Sequence, residues 1–446
     1  MPLFDDRFSL RVRRQPALWL LALLLLTSGL PAAWADDGDG DGGGGDGDGS
    51  SSWPASVFQR QAPRSQPARS PARQAKAKPK ATPQPASHVA DELLALAPTP
   101  AALQAAQALG AAVIETVHTG ALQLRVVRLR LPPGLTAEAA LRRLAPAHPG
   151  VFELQHLYHP AQDPGAASAA AAPIDRQAHA RALGWPANAR ACGRGQSIGI
   201  VDTPVATGVA ALAGASVQTR AFLDAGQQPA LPDHGTAIAA LLLGRPGSGF
   251  DGLVPRARLF AAAPFYSTGP DTHQASASGL VRSLDWLASQ RVQVIGMSLA
   301  GPRNLVLNAA VQRLADQGML LVAAAGNHGP QGAPAYPAAF ERVLAITAID
   351  ARERVWRRAN QGSHIDYALP GVDVWTAAPD GQGRARSGTS YANALMVAWA
   401  SQALAQRVVP RDALLQGRAG RVKDLGAFGH DPVFGWGLPQ WDGACS

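Results

Sequence analysis

Three short stretches of this sequence carry side chains that together could break an acyl bond. Asp202 ends the apolar run Ser197-Ile-Gly-Ile-Val201, His234 stands in Asp233-His-Gly-Thr236, and Ser390 stands in Ser387-Gly-Thr-Ser390 ahead of a long alanine-rich stretch. A serine hydroxyl attacks poorly at neutral pH unless a base takes its proton and a carboxylate fixes the tautomer of that base. These stretches supply nucleophile, base and orienter. A fourth, Leu320-Leu-Val-Ala-Ala-Ala-Gly326 running into Asn327, supplies an amide donor for charge developing on the attacked carbonyl oxygen. The first backbone N–H groups of a helix opening at Ser390 would add another donor. One such residue at a strand end is ordinarily structural; four whose chemistry interlocks point to acyl transfer. His273, His328, His364 and His430 have no paired ligand spacing, so no metal is assigned to them. Gly193-Arg-Gly195 precedes its strand instead of following it, which excludes a dinucleotide loop.

These groups meet only if the chain between them folds in a particular way. Apolar runs at 197–201, 259–263, 292–297, 320–325 and 343–349 alternate with helix-like stretches at 235–243, 280–289, 306–317 and 390–407. Apolar strands separated by helices predict an α/β fold, a mostly parallel sheet with helices on both faces, whose active residues gather at the carboxyl ends of the strands. Upstream, residues 88–160 predict strands at 89–96, 112–117, 122–131 and 151–158 and helices at 101–109 and 137–144. That is the order of a small ferredoxin-like α+β domain. Residues 161–174, rich in alanine, read as a linker to a second domain spanning 175–446.

Six stretches in this order, Ile198-Gly-Ile-Val-Asp202, His234-Gly-Thr236, Met297-Ser-Leu299, Ala324-Ala-Gly-Asn327, Tyr336-Pro-Ala338 and Gly388-Thr-Ser390, resemble the subtilisin-like serine proteases, the subtilases. The resemblance covers roughly residues 190–445. It implies a subtilisin-like fold and a serine-type endopeptidase that hydrolyses protein or peptide substrates through an acyl-enzyme. Asp202, His234 and Ser390 would be its triad and Asn327 its oxyanion donor. Ser298, Leu299, Ala300 and Gly301 would form the edge strand that pairs with an extended substrate. Ala324, Ala325 and Gly326 would wall the pocket for the residue before the scissile bond, with room for an aromatic ring or leucine. The domain at 88–160 would be a propeptide that assists folding and then blocks the site as an intramolecular inhibitor. No organic cofactor is required, and structural calcium, frequent in the family, is assigned to no loop. Pro204, Gly296 and Ala394 depart from the family's usual glycine, asparagine and proline. None of these changes removes a reacting group.

The first residues read as an export signal, with Arg7, Arg11, Arg13 and Arg14 ahead of the apolar run 17–26 and a small-residue site ending at Ala35. The expected location is therefore the periplasm or the exterior. Residues 36–87, a Gly/Asp tract and then a basic Pro/Ala-rich segment, hold nothing to pack and are expected to be disordered. In an oxidising compartment Cys192 and Cys445, the two cysteines of the chain, would either pair or remain two buried thiols. The net charge of +8 draws on Arg60, Arg64, Arg69, Arg73, Lys76, Lys78 and Lys80, which lack interleaved aromatics, so no nucleic-acid partner is expected. No later stretch is apolar enough to span a bilayer, and a monomer is expected. Two other classes stay open: a pseudoprotease serving as a binding or chaperone module, and a basic adhesion protein working through residues 53–88.

Overall fold

Short apolar strands whose side chains alternate between two cores build the centre of the molecule. The structure, a computed structural model, describes residues 86–161 and 175–445. The export signal, the tract at 36–85 and residues 162–174 lie outside the described residues.

The first domain runs β1 (His88–Leu96), α1 (Pro100–Ala108), β2 (Ala112–His118), β3 (Arg125–Arg130), α2 (Ala137–Leu144) and β4 (Phe152–Pro160). Its strands pair antiparallel in the order β2-β3-β1-β4, the ferredoxin-like arrangement. Thr99 and Thr136 cap the two helices, each side chain accepting from a backbone N–H three residues on. The strand expected from 122 begins only at Arg125. The residues before it form a turn in which the N–H groups of Gly120, Ala121 and Leu122 all donate to the Asp285 carboxylate.

The second domain runs α3 (Ala178–Ala182), β5 (Ser197–Val201), β6 (Ser216–Ala221), α4 (Asp233–Leu243), β7 (Arg258–Ala263), β8 (Tyr266–Gly269), β9 (Thr272–Ser276) and α5 (Ala277–Ser289). It continues with β10 (Val294–Met297), β11 (Leu299–Ala300), α6 (Leu305–Asp316), β12 (Leu320–Ala324), β13 (Leu344–Ile349), β14 (Tyr367–Pro370), β15 (Val374–Ala377), β16 (Gly383–Arg386) and α7 (Thr389–Ala405). Seven strands form a parallel sheet in the order β14-β13-β12-β10-β5-β7-β6. Ile198, Leu259, Leu320 and Val322 join a core closed by α4 and α7. Their neighbours Phe260, Leu321 and Ala323 join a second core closed by α5 and α6. The expected α/β sheet with helices on both faces is thus what the chain forms. Leu94, Leu122, Val126 and Tyr158 of the first domain belong to that second core, so the two domains share packing.

Sequence periodicity passes over β6, the β8–β9 hairpin and β14, which at four residues ending in Pro370 is too short to show a pattern. β6 is a largely exposed sheet edge and the hairpin is mostly polar, so neither shows an apolar run. Cys192 and Cys445 are joined as a disulfide with their Cα atoms 4.7 Å apart, tying the approach to β5 to the end of the described chain. Among the described residues no helix is long and apolar enough to cross a membrane.

Candidate active site

The sheet order reverses direction about β5, whose neighbours are β7 on one side and β10 on the other. A crevice opens at the carboxyl ends of strands at such a point. Asp202 follows β5 directly and extends its ladder, its N–H donating to Ala262 O at 3.0 Å. Its Oδ1 accepts from Thr203 N at 2.7 Å and lies 2.6 Å from His234 Nδ1, both side chains being 1% exposed. A carboxylate only accepts, so Nδ1 carries the proton and Nε2 presents its lone pair. His234 lies inside the first turn of α4, not ahead of the helix as the sequence suggests. Gly235 permits this: a Cβ there would sit 2.2 Å from Thr203 O, and its N–H donates to Thr203 Oγ1 at 2.8 Å. The helix start is thereby fastened to the loop carrying Asp202. Tyr391 packs on the imidazole with ring centroids 5.5 Å apart, and Arg386 pairs with neighbouring Asp233 at 2.5 Å.

Ser390 is the second residue of α7 and fully buried, in the first turn, where backbone N–H groups have no intrahelical partner. Gly388 precedes the helix at φ +156°, turning the chain into it. Asn327 is held from the same turn: its Oδ1 accepts from Thr389 N at 3.2 Å and from Thr389 Oγ1 at 2.7 Å. Its Nδ2 is buried with no hydrogen-bond partner among the described residues, and the same holds for His234 Nε2. Gly326 makes the bend before Asn327 at φ +103°, and Asn360 braces that bend by accepting from His328 N and donating to Gly326 O. Thr389 and Asn360 were not singled out from the sequence. Each acts through short-range bonds across distant segments, which leave no periodic or compositional trace.

The first domain ends inside this crevice. Past the pairing of Leu157 and Tyr158 with Ser276 and Ala275 of β9, the strand pairs on its other side through His159 with Ala300 and through Pro160 with Leu299. Ala161, counted with the linker by composition, continues the run: its N–H donates to Ser298 O at 3.0 Å, and its carbonyl accepts from Ser390 Oγ at 2.5 Å. Its methyl group packs in a buried cluster with Ala300, Ala324 and Ala335. Ala325 is buried outside that cluster, its N–H bonded to Ile346 O, and Ala335 is a wall the sequence did not name. Tyr158 is fully buried, its Oη donating to Pro302 O at 2.9 Å and its ring lying over Gly301, where a Cβ would come within 2.4 Å of it. Burial holds the phenol well above the usual tyrosine range.

The departures also find places. A Cβ at Gly296 would meet Val397 Cγ2 at 2.7 Å, so the glycine makes room for this α7 side chain, while Asn393 Nδ2 at 3.5 Å would be in ordinary contact. Asn393 Nδ2 reaches Ser298 Oγ at 3.4 Å. Ala394 lies buried within an unbroken α7.

The sequence pattern of the subtilase family matches residues 193–424. The minor extracellular protease Epr of Bacillus subtilis is 31% identical over 213 residues, 47% of this chain and 32% of that protein. Subtilisin DY of Bacillus licheniformis is 30% identical over 210 residues, 45% of this chain and 73% of that one. Thermitase of Thermoactinomyces vulgaris is 33% identical over 204 residues, 45% and 71% of the two chains. Among solved structures, fervidolysin from Fervidobacterium pennivorans, described as a keratinolytic enzyme related to subtilisin, superposes with a TM-score of 0.66 at 17% identity. It covers 80% of this chain, more than the second domain alone can supply, and 61% of its own.

Proposed function

This chain belongs to the subtilase family of serine-type endopeptidases, and on that premise we propose that it is an exported precursor whose first cut is its own Ala161–Gln162 bond. The contact of Ser390 Oγ with the Ala161 carbonyl, at the end of a strand paired on both sides, carries this reading. Ser390 Oγ attacks the Ala161 carbonyl carbon as His234 Nε2 takes its proton, and Asp202 holds the imidazolium through Nδ1–H. The carbonyl oxygen, now an anion, moves onto Asn327 Nδ2–H and the Ser390 N–H. Collapse breaks the bond to Gln162, whose amine leaves with the proton from His234, and water admitted by its departure hydrolyses the acyl-enzyme.

The same occupancy supports inhibition. While residues 157–161 hold the crevice no other substrate strand can pair there, so the first domain keeps the enzyme latent until it leaves. Later substrates are protein segments in extended form, read mainly through the main chain. The fourth residue before the scissile bond is the exception, since Gly301 and Pro302 form a deep slot with a hydrogen bond for a tyrosine. Export to the periplasm or exterior is supported by the arginine-led apolar start of the sequence.

A fluorophosphonate probe tests the assignment: it should label the processed wild-type chain at Ser390 and spare Ser390→Ala. Equal labelling of both would end the reading.

A further inference from the structure

Every strand of the parallel sheet turns its carboxyl end to the triad, so the amino ends form the opposite edge of the molecule. Six arginines stand on that edge. Arg190 and Arg194 precede β5, Arg256 and Arg258 lie at the start of β7, Arg291 precedes β10, and Arg245 follows α4, which runs back across the sheet. All six are exposed. β7, β5 and β10 are consecutive in the sheet, so at about 4.8 Å per strand the charges before them spread over roughly 10 Å. None of the six has a carboxylate partner among the described residues; Arg258 instead lies over Phe260, 5.4 Å from its ring centre.

The positions are fixed before any ligand arrives. Arg245 N donates to Ala211 O at 2.7 Å, Arg256 N to Cys192 O at 3.0 Å and Arg258 N to Gln196 O at 2.9 Å, with Cys192 itself anchored by its disulfide. Arg190, Arg245 and Arg256 line one cleft of about 280 Å³ over Gly214 and Ala215, with no acidic residue in its wall. Asp251 lines the adjoining cleft, where its carboxylate accepts from Gly247 N.

Guanidinium groups match phosphate oxygens in a bidentate fork, and like charges held together without an acid are relieved by a bound anion. The strip is longer than one phosphate, which favours an array of them. The loops at 189–196, 213–215, 244–246, 255–257 and 290–293 contain no aromatic residue on which bases could stack. We infer that this edge docks on the phosphate headgroups of an anionic phospholipid membrane, with the catalytic crevice turned away from the lipid.

Sedimentation with phosphatidylcholine vesicles, with and without phosphatidylglycerol, tests the inference on the full chain carrying Ser390→Ala to keep it uncut. It should partition onto the phosphatidylglycerol vesicles at low salt and come off at high salt. Arg190→Gln/Arg245→Gln/Arg256→Gln should weaken the partition by on the order of 100-fold, from roughly fivefold per arginine. A charge-matched variant, Arg142→Gln/Arg143→Gln/Arg357→Gln, keeps the same upstream basic segment and should bind as the parent does. With Ser390 restored, unchanged hydrolysis of a small peptide ester shows that the cleft variant is folded. Equal partition of all three proteins, equal loss in both triple variants, or tighter retention by duplex DNA than by the vesicles would overturn the inference.

Discussion

Asn327 divides its amide between two tasks: the carbonyl oxygen is tied to Thr389, which leaves the nitrogen aimed and unpartnered. A donor that meets charge only in the transition state should affect turnover and not affinity. Asn327→Ala should therefore lower kcat by about 10²–10³, the loss known for the equivalent donor in subtilisin itself, with KM nearly unchanged in steady-state kinetics. Asn327 could be named from the sequence because its chemistry is announced by the strand and glycine before it. Thr389, which fixes it, looks like any helix-start threonine until the fold brings it across. His179 makes a different residue-scale case. Burial lowers its pKa to about 4, so the unfolded chain binds the proton first as acid is added. The stability this contributes is present above about pH 6.5 and is lost as pH falls toward 4, roughly 3 kcal/mol at most. Denaturant midpoints at pH 7 and pH 4.5 should differ less in His179→Leu than in the wild type.

At the scale of elements, β4 joins the two domains by pairing with β1 in its own sheet and then with β9 and β11 of the other. Nothing local in the sequence marks this. Strand pairing across more than a hundred residues depends on which edge is offered, and that is why Ala161 falls into the linker by composition. The apolar slot under Tyr158 belongs to the same pairing. Gly301→Ala places a methyl group where the ring lies, so peptides with tyrosine four residues before the scissile bond should lose at least tenfold in kcat/KM. Peptides with alanine there should lose little, and a peptide series resolves the two. The turn at Gly120, Ala121 and Leu122 is the second fastening, three backbone donors on one carboxylate. Asp285→Ala leaves them without it, and hydrogen bonds to a charged group contribute about 1.5–3 kcal/mol. The cleaved first domain should then dissociate at least tenfold faster in stopped-flow measurements.

Across the whole molecule, five of the seven strands of the parallel sheet were legible because they are buried on both faces and read as unbroken apolar runs, whereas the largely exposed β6, the four-residue β14 and the polar hairpin were not. The disulfide was left open by sequence because two cysteines 253 residues apart announce no proximity. In the folded chain it closes nearly the whole second domain, so Cys192→Ala/Cys445→Ala should lower stability by about 2–4 kcal/mol in denaturant titrations. All of these elements converge on one bond, the one whose carbonyl rests on Ser390. The most direct test of the account is the amino terminus of the mature chain, read by mass spectrometry from wild type and from Ser390→Ala made alone. The wild type should begin at Gln162 and the variant should remain joined to its first domain. A processed Ser390→Ala chain, or a wild-type terminus at any other bond, would contradict it.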